Sequence, residues 1–184
     1  MKAISIALIP IQIQDRQALI DTSAKVNGRN AFLNHTDQLP HVTLAMGVSP
    51  DSKIKRIIQA VSAWQGIQLK SSGISAIPRS TSSDLVWLNM DRDLMLLALH
   101  EKAMHLLPQD DELVLPQHFG NSEGLSGAEV DYVQTFAPQA HEHYQPHITL
   151  GYGKEVKWEK SNLMEFKAGV FHLGPSCTCY AELT

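Results

Sequence analysis

Pro40-His41-Val42-Thr43-Leu44-Ala45-Met46-Gly47 returns later in the chain as Pro146-His147-Ile148-Thr149-Leu150-Gly151-Tyr152-Gly153. Pro, His, Thr, Leu and Gly recur in register, and Val42 is exchanged for Ile148. Both octapeptides are rich in β-branched and apolar residues, begin at Pro and end at Gly, so each reads as a short strand. Side chains alternate faces along a strand. His41 and Thr43 therefore share one face, with Val42, Leu44 and Met46 on the other. His147 and Thr149 likewise share a face, opposite Ile148, Leu150 and Tyr152, which assigns Tyr152 to the core. The polar faces continue as Ala45 and Gly47, and as Gly151 and Gly153, small residues that leave room for a ligand. A single strand His/Thr pair is ordinarily a half-buried, hydrogen-bonded feature of a core edge. Building it twice argues for chemistry.

Composition fits an enzyme-sized soluble body. The chain has 184 residues and a formal charge of −4, with no overall positive field to gather polyanions. That disfavours a protein whose main task is gripping long nucleic acid, and permits a small anionic ligand or an RNA end. Cys177 and Cys179 stand too close in one expected strand for a structural disulfide, and Cys-x-Cys alone is a weak metal signal. The apolar start after Lys2 mimics a signal peptide, but Pro10, Gln12, Gln14 and Asp15 interrupt it, so a first buried strand is expected. No segment is long enough to span a membrane, and a cytoplasmic location is expected.

Strands are expected over 3–10, 67–77, 84–90, 165–173 and 176–183, beside the two repeats. Helices are expected over 15–27, from Asp51 onward, over 92–106, and in a short stretch at 155–163. In the second helix Ile54, Ile57, Ile58 and Val61 recur at i, i+3, i+4 and i+7. His100 and His105 are expected on the surface of the third. Residues 107–145 read as a long insert, with an acidic cluster at Asp110, Asp111 and Glu112; Ala128 to Phe136 fits a strand or a helical turn equally. The order implies an α+β chain with two related lobes.

The repeated His-x-Thr-Leu units, with Gly73 to Met90 between them, resemble the 2H (two-histidine) phosphoesterase superfamily, which includes the 2′-5′ RNA ligases and cyclic nucleotide phosphodiesterases. The resemblance implies a single bilobal pseudo-twofold domain over 1–184, with two antiparallel sheets forming a central cleft and helices outside. It implies His41 and His147 as catalytic residues, and a nucleotide or RNA terminus as substrate. The insert and the Cys177-Thr178-Cys179-Tyr180 ending depart from the family plan.

The polar side chains suggest the chemistry. One neutral imidazole removes a proton from water, and the other, protonated, gives one to the departing sugar oxygen. An ordinary imidazole pKa lies near neutrality, so both forms are available without large shifts, and a bell-shaped pH dependence is expected. Thr43 and Thr149 offer hydroxyls to the non-bridging phosphate oxygens. The scheme needs no metal and no cofactor. Trp87 and Tyr144 are candidate substrate-binding residues; Arg79 and Lys70 read first as ordinary surface residues, although either could meet a second phosphate. The reading is thus a metal-independent phosphoesterase for a 2′,3′-cyclic phosphate or a 2′-5′ phosphodiester, with ligation as its reverse. Two rivals stay open. His141, His143 and His147 form a His-x-His-x₃-His cluster suited to zinc or a non-haem metal. A non-catalytic nucleotide- or RNA-end-binding module is the other.

Overall fold

β1 (Lys2–Pro10) is apolar on both faces, which makes it an interior strand. Ile4, Ile6 and Leu8 are fully buried on one side, and Ser5, Ala7 and Ile9 are buried on the other. In the computed structural model the described residues are 1–28, 31–79, 83–107, 113–159 and 163–184, of which 137–142 are described by backbone alone. β1 lies between β2 (Val42–Ser49) and β6 (Leu163–Leu173), antiparallel to both. β3 (Ile67–Ile77) then serves two neighbours. Ile67–Lys70 pair with β6, while Ser71–Ile77 pair with β4 (Asp84–Met90). β4 pairs in turn with β5 (His147–Gly153), and the short β7 (Cys179–Glu182) lies along β6.

The fold is therefore α+β with a seven-stranded antiparallel sheet in the order β2-β1-β6-β3-β4-β5, β7 standing off the path. The two expected sheets are two arms of this one path, and β3 belongs to both. The register slips between Ser71 and Gly73, where Gly73 has φ +122°, a conformation that suits glycine. The ends of the path, β2 and β5, touch each other. These are the two repeated strands.

Helices tie the arms together crosswise. α1 (Ile13–Asn27) follows β1 but packs mainly on β5 of the other arm. α3 (Leu94–Leu106) follows β4 but packs on β2. Asp93 caps α3 by accepting from the Leu96 amide at 2.7 Å. α2 (Asp51–Val61) buries Ile54, Ile57 and Val61 against β6, as its periodicity predicts. Within the insert, α4 (Gly127–His143) packs on β2, and no strand forms there among the described residues. Ser126 and Glu129 make a reciprocal capping box at its start, with Glu129 accepting from the Ser126 amide at 2.6 Å. No helix among the described residues is long and apolar enough to cross a membrane.

Several expectations are corrected. Residues 155–159 carry no helix. Cys177 sits in a 3₁₀ turn with Ser176, both at positive φ, and only Cys179 lies in a strand. The expected alternation also fails within both repeats, at the same place. Thr43 pairs with Ala7 but Ala45 pairs with Ile6, and Thr149 pairs with Trp87 but Gly151 pairs with Val86. Leu44 and Leu150 are thus the extra residues of matching bulges. Beyond each bulge the faces exchange. Ala45 turns to the Ile6 side and is fully buried, whereas Tyr152 turns to the His147 side and is 37% exposed instead of in the core.

A bulge frees a carbonyl from the ladder, and a buried carbonyl needs a partner. Helix side chains supply one in each arm. Leu150 O accepts from Ser23 Oγ at 2.7 Å and Asn27 Nδ2 at 2.9 Å, both on α1. Leu44 O accepts from His100 Nδ1 at 2.5 Å, on α3. His100 is accordingly 2% exposed, not a surface residue.

Gly151 has φ +123°, and a Cβ there would come within 2.3 Å of the Asn27 amide. Gly151→Ala is expected to lower unfolding free energy by about 2–4 kcal/mol in urea titrations, combining backbone strain with displacement of Asn27. Gly124 has φ +77° with nothing within 4 Å of such a Cβ. Gly124→Ala should therefore cost only about 1 kcal/mol, the strain alone; equal losses would contradict the close approach of α1.

Candidate active site

Each repeat begins with an X-Pro-His unit that fixes its imidazole. Leu39-Pro40-His41 places Leu39 O 2.7 Å from His41 Nδ1, and Gln145-Pro146-His147 places Gln145 O 2.7 Å from His147 Nδ1. A carbonyl can only accept, so Nδ1 carries the proton in both rings and Nε2 is the working nitrogen. The repeated proline has a physical role here. It holds the preceding residue extended and turns that residue's carbonyl back toward the ring.

The surroundings of the two rings differ. Leu39 packs against a small apolar cluster of Ala7, Ile9, Phe171 and Cys179, on the Thr43 side of the first arm. In the second arm Trp87 stacks on the His147 imidazole, with ring centres 3.8 Å apart and planes 17° from parallel. Asn89 lies directly across the ladder from His147, and its amide donates to Ser75 Oγ at 3.0 Å. Thr43 and Thr149 are half-buried on the histidine faces, and neither hydroxyl has a protein partner among the described residues.

Tyr144 links the arms. Its hydroxyl donates to Thr43 O at 2.9 Å, and its ring stacks on His100 at 3.9 Å. It is 5% exposed, and with Asn89 and Gln145 it contributes to the lining of a cleft of about 340 Å³. Burial also pushes its hydroxyl pKa well above the usual tyrosine range. Trp87 is beside His147 as its strand position implies, with one face of the indole occupied by the imidazole.

Burial also lowers the pKa of both histidines. For His41 it outweighs the opposing bond to Leu39 O. His147 is lowered to about 4, first by burial, against the pull of Gln145 O, and then by the positive charge of His41. The contact between β2 and β5 brings the two imidazoles within electrostatic reach of one another. The expectation of ordinary pKa values is corrected: both are shifted down, which favours the neutral rings, and an anion placed between them would oppose that shift. Two Nε2 atoms and two hydroxyl groups on facing strands can then surround a phosphate, with one ring protonated and the other free to act as base.

The His141/His143/His147 cluster falls partly outside the described residues. The side chain of His141 lies outside the described residues, and His147 Nδ1 is engaged by Gln145 O. His143 ends α4 and lines a cleft of about 340 Å³ with Asn89, Arg92 and Gln145. Among the described residues no three His, Cys, Asp or Glu side chains converge on a metal position. The acidic cluster at Asp110–Glu112 lies outside the described residues. Lys70 is exposed and lines a separate cleft of about 470 Å³ with Asp91, Lys157 and Trp158.

Comparison with known proteins accords with this architecture. A family model described as the 2′-5′ RNA ligase superfamily matches residues 12–173. The crystal structure of TT0787 of Thermus thermophilus aligns with a TM-score of 0.52 at 16% identity, covering 100% of this chain and 96% of that one. At such identity the likeness concerns the fold alone. No match was found among curated proteins.

Because the folded chain holds His147 neutral, the unfolded chain binds more protons between its ordinary pKa of 6.5 and about 4. Stability should therefore be complete above pH 6.5 and decline toward pH 4. In NMR titrations of the free protein His147 is expected near 4 and His41 below 6.5. Saturating adenosine 2′-monophosphate should raise both. Titration of either ring that is unmoved by the nucleotide would contradict a phosphate lodged between them.

Proposed function

The chain belongs to the 2′-5′ RNA ligase superfamily, and on that footing we propose that it hydrolyses a 2′,3′-cyclic phosphate or a 2′-5′ phosphodiester at a nucleotide or RNA end, without a metal. At the coarser level membership makes it an enzyme of the phosphoesterase/ligase type acting on RNA or nucleotides. The observation that carries the finer reading is the equivalence of the two His-x-Thr units. Each has its Nδ1 locked by the carbonyl two residues back, a bulge at the following Leu, and a helix side chain on the bulged carbonyl.

The phosphate sits between β2 and β5, its non-bridging oxygens accepting from the Thr43 and Thr149 hydroxyls. Its negative charge lifts the lowered pKa of both imidazoles, and one of them enters the reaction protonated. The other imidazole takes the proton from the attacking water through Nε2. The protonated ring gives its proton to the departing ribose oxygen, so the pair ends with the proton exchanged and the charge unchanged. On a 2′,3′-cyclic phosphate a ribose 5′-hydroxyl can take the place of water: one ring removes its proton, the new P–O bond forms as the bond to the 3′-oxygen breaks, and the other ring protonates that oxygen, leaving a 2′-5′ linkage. That step is ligation.

Hydrolysis of nucleoside 2′,3′-cyclic phosphates, a 2′-5′ linked oligoadenylate and a 3′-5′ control, all in excess chelator, tests this reading. His41→Ala and His147→Ala are each expected to lower kcat by about 10²–10⁴-fold on the substrate that turns over. Thr43→Val and Thr149→Val should each lose about 10-fold or more, as expected for removal of one donor to the developing charge. Activity absent in chelator and restored by zinc would transfer the role to a metal centre. Tight binding without turnover would make the chain a binding module.

A further inference from the structure

The bulge at Leu150 brings an aromatic ring onto the catalytic face that simple alternation would have buried. Tyr152 lies across the ladder from Leu85, one side-chain position beyond Thr149 and Trp87 on that face, and is 37% exposed. Phe32 braces it edge-on, with ring centres 5.9 Å apart at 89°. The guanidinium of Arg79, from the end of β3, lies over the Tyr152 ring, 5.5 Å from its centre. Arg79 is exposed and has no carboxylate partner among the described residues. The following residues, Ser80-Thr81-Ser82-Ser83, contribute no carboxylate in sequence, and Asp84 faces the opposite side of β4 from Leu85.

An arginine laid over an aromatic face spends its planar surface on the ring and keeps its N–H edge for an oxyanion. Its side chain is already partly ordered, so less freedom is lost when that anion binds. Tyr152 follows Thr149 by three residues including the bulge, so their backbones lie no more than about 10 Å apart along the strand.

We infer that Arg79, braced on Tyr152, forms an anion subsite for a second phosphate of the substrate, next along β5 from the phosphate held between His41 and His147. The inference rests on the phosphoesterase reading. It gives the substrate class as a nucleotide bearing two phosphates, either the end of an oligonucleotide or a nucleotide with a separate terminal phosphate, in preference to a nucleoside cyclic monophosphate.

Three substrates separate these cases: adenosine 2′,3′-cyclic phosphate, its 5′-phosphorylated form, and the dinucleotide ApA ending in a 2′,3′-cyclic phosphate. The wild type is expected to prefer one or both doubly phosphorylated substrates in kcat/KM by about 10–100-fold, the worth of one charge-assisted contact. Arg79→Gln should erase most of that preference, Tyr152→Leu part of it, and Arg79→Lys less than Arg79→Gln. Lys55→Gln, on the exposed face of α2, removes the same charge elsewhere and should leave the preference intact. Preference for the dinucleotide alone identifies the chain phosphodiester; preference for the 5′-phosphorylated form alone identifies the terminal phosphate. A preference unchanged by Arg79→Gln, or an equal loss on all three substrates, overturns the inference.

Should no substrate turn over, the phosphoesterase reading fails but the subsite is still read by calorimetry. Adenosine 2′-monophosphate, adenosine 2′,5′-bisphosphate and ApA 2′-phosphate are the probes. Arg79→Gln should weaken one or both of the last two by about 10-fold more than the first. Equal weakening, or none, overturns the subsite.

Discussion

The carbonyls freed at Leu44 and Leu150 constrain everything around them. Each belongs to an extra residue in a repeated strand, and neither can return to the sheet ladder without turning the following residues to the other face. His100 satisfies the first, and Ser23 with Asn27 satisfies the second. Those side chains sit on helices that follow strands of the opposite arm. Satisfying the bulges therefore stitches α1 to β5 and α3 to β2, and brings the two edge strands together. Ser23 also accepts from the Phe32 and Leu33 amides, extending the same anchor into the loop before the first repeat.

This arrangement accounts for the electrostatics of the site. Bringing both repeats to one place leaves both imidazoles half-buried and puts His147 within the field of His41, so the charged forms are disfavoured. An anion reverses that balance. Under the proposed reaction the lowered pKa values would suit uptake of a proton together with the phosphate, and the stacked Trp87 restricts the His147 ring to one orientation. Tyr144 couples the arms at the same level by holding Thr43 O from the residue that follows α4.

Much of this was legible in the sequence, and what was not has specific causes. The duplicated octapeptide gives the paired histidines and threonines, and alternation gives Trp87 and Asn89 the right face. The β3 and β4 boundaries and the buried stripe of α2 follow from period and turn residues. The misplacement of Tyr152 and Ala45 traces to a bulge, a one-residue event that leaves the apolar pattern almost unaltered. Gly151 in the second repeat was its signal, being a glycine inside a strand. His100 was misread because an imidazole on an apolar helix resembles a surface residue until a buried carbonyl needs a donor. α4 had an overlooked signature in Ser126-Gly127-Ala128-Glu129, followed by Val130, Val133 and Phe136 at helical spacing. The role of the repeated proline is visible only once the ring and the carbonyl two residues back are seen together.

The central claim is that two imidazoles, both neutral in the free protein, share one proton during turnover of a bound phosphate. The pH dependence of kcat and kcat/KM on the same cyclic-phosphate substrate tests it most directly. Two bell-shaped profiles are expected, with the kcat/KM maximum below pH 6.5, where the free protein can hold one proton on the pair. The kcat maximum should lie at higher pH, because bound phosphate raises the imidazole pKa values. Profiles flat from pH 4 to 9 with chemistry rate-limiting, or maxima that coincide near neutrality, would contradict it.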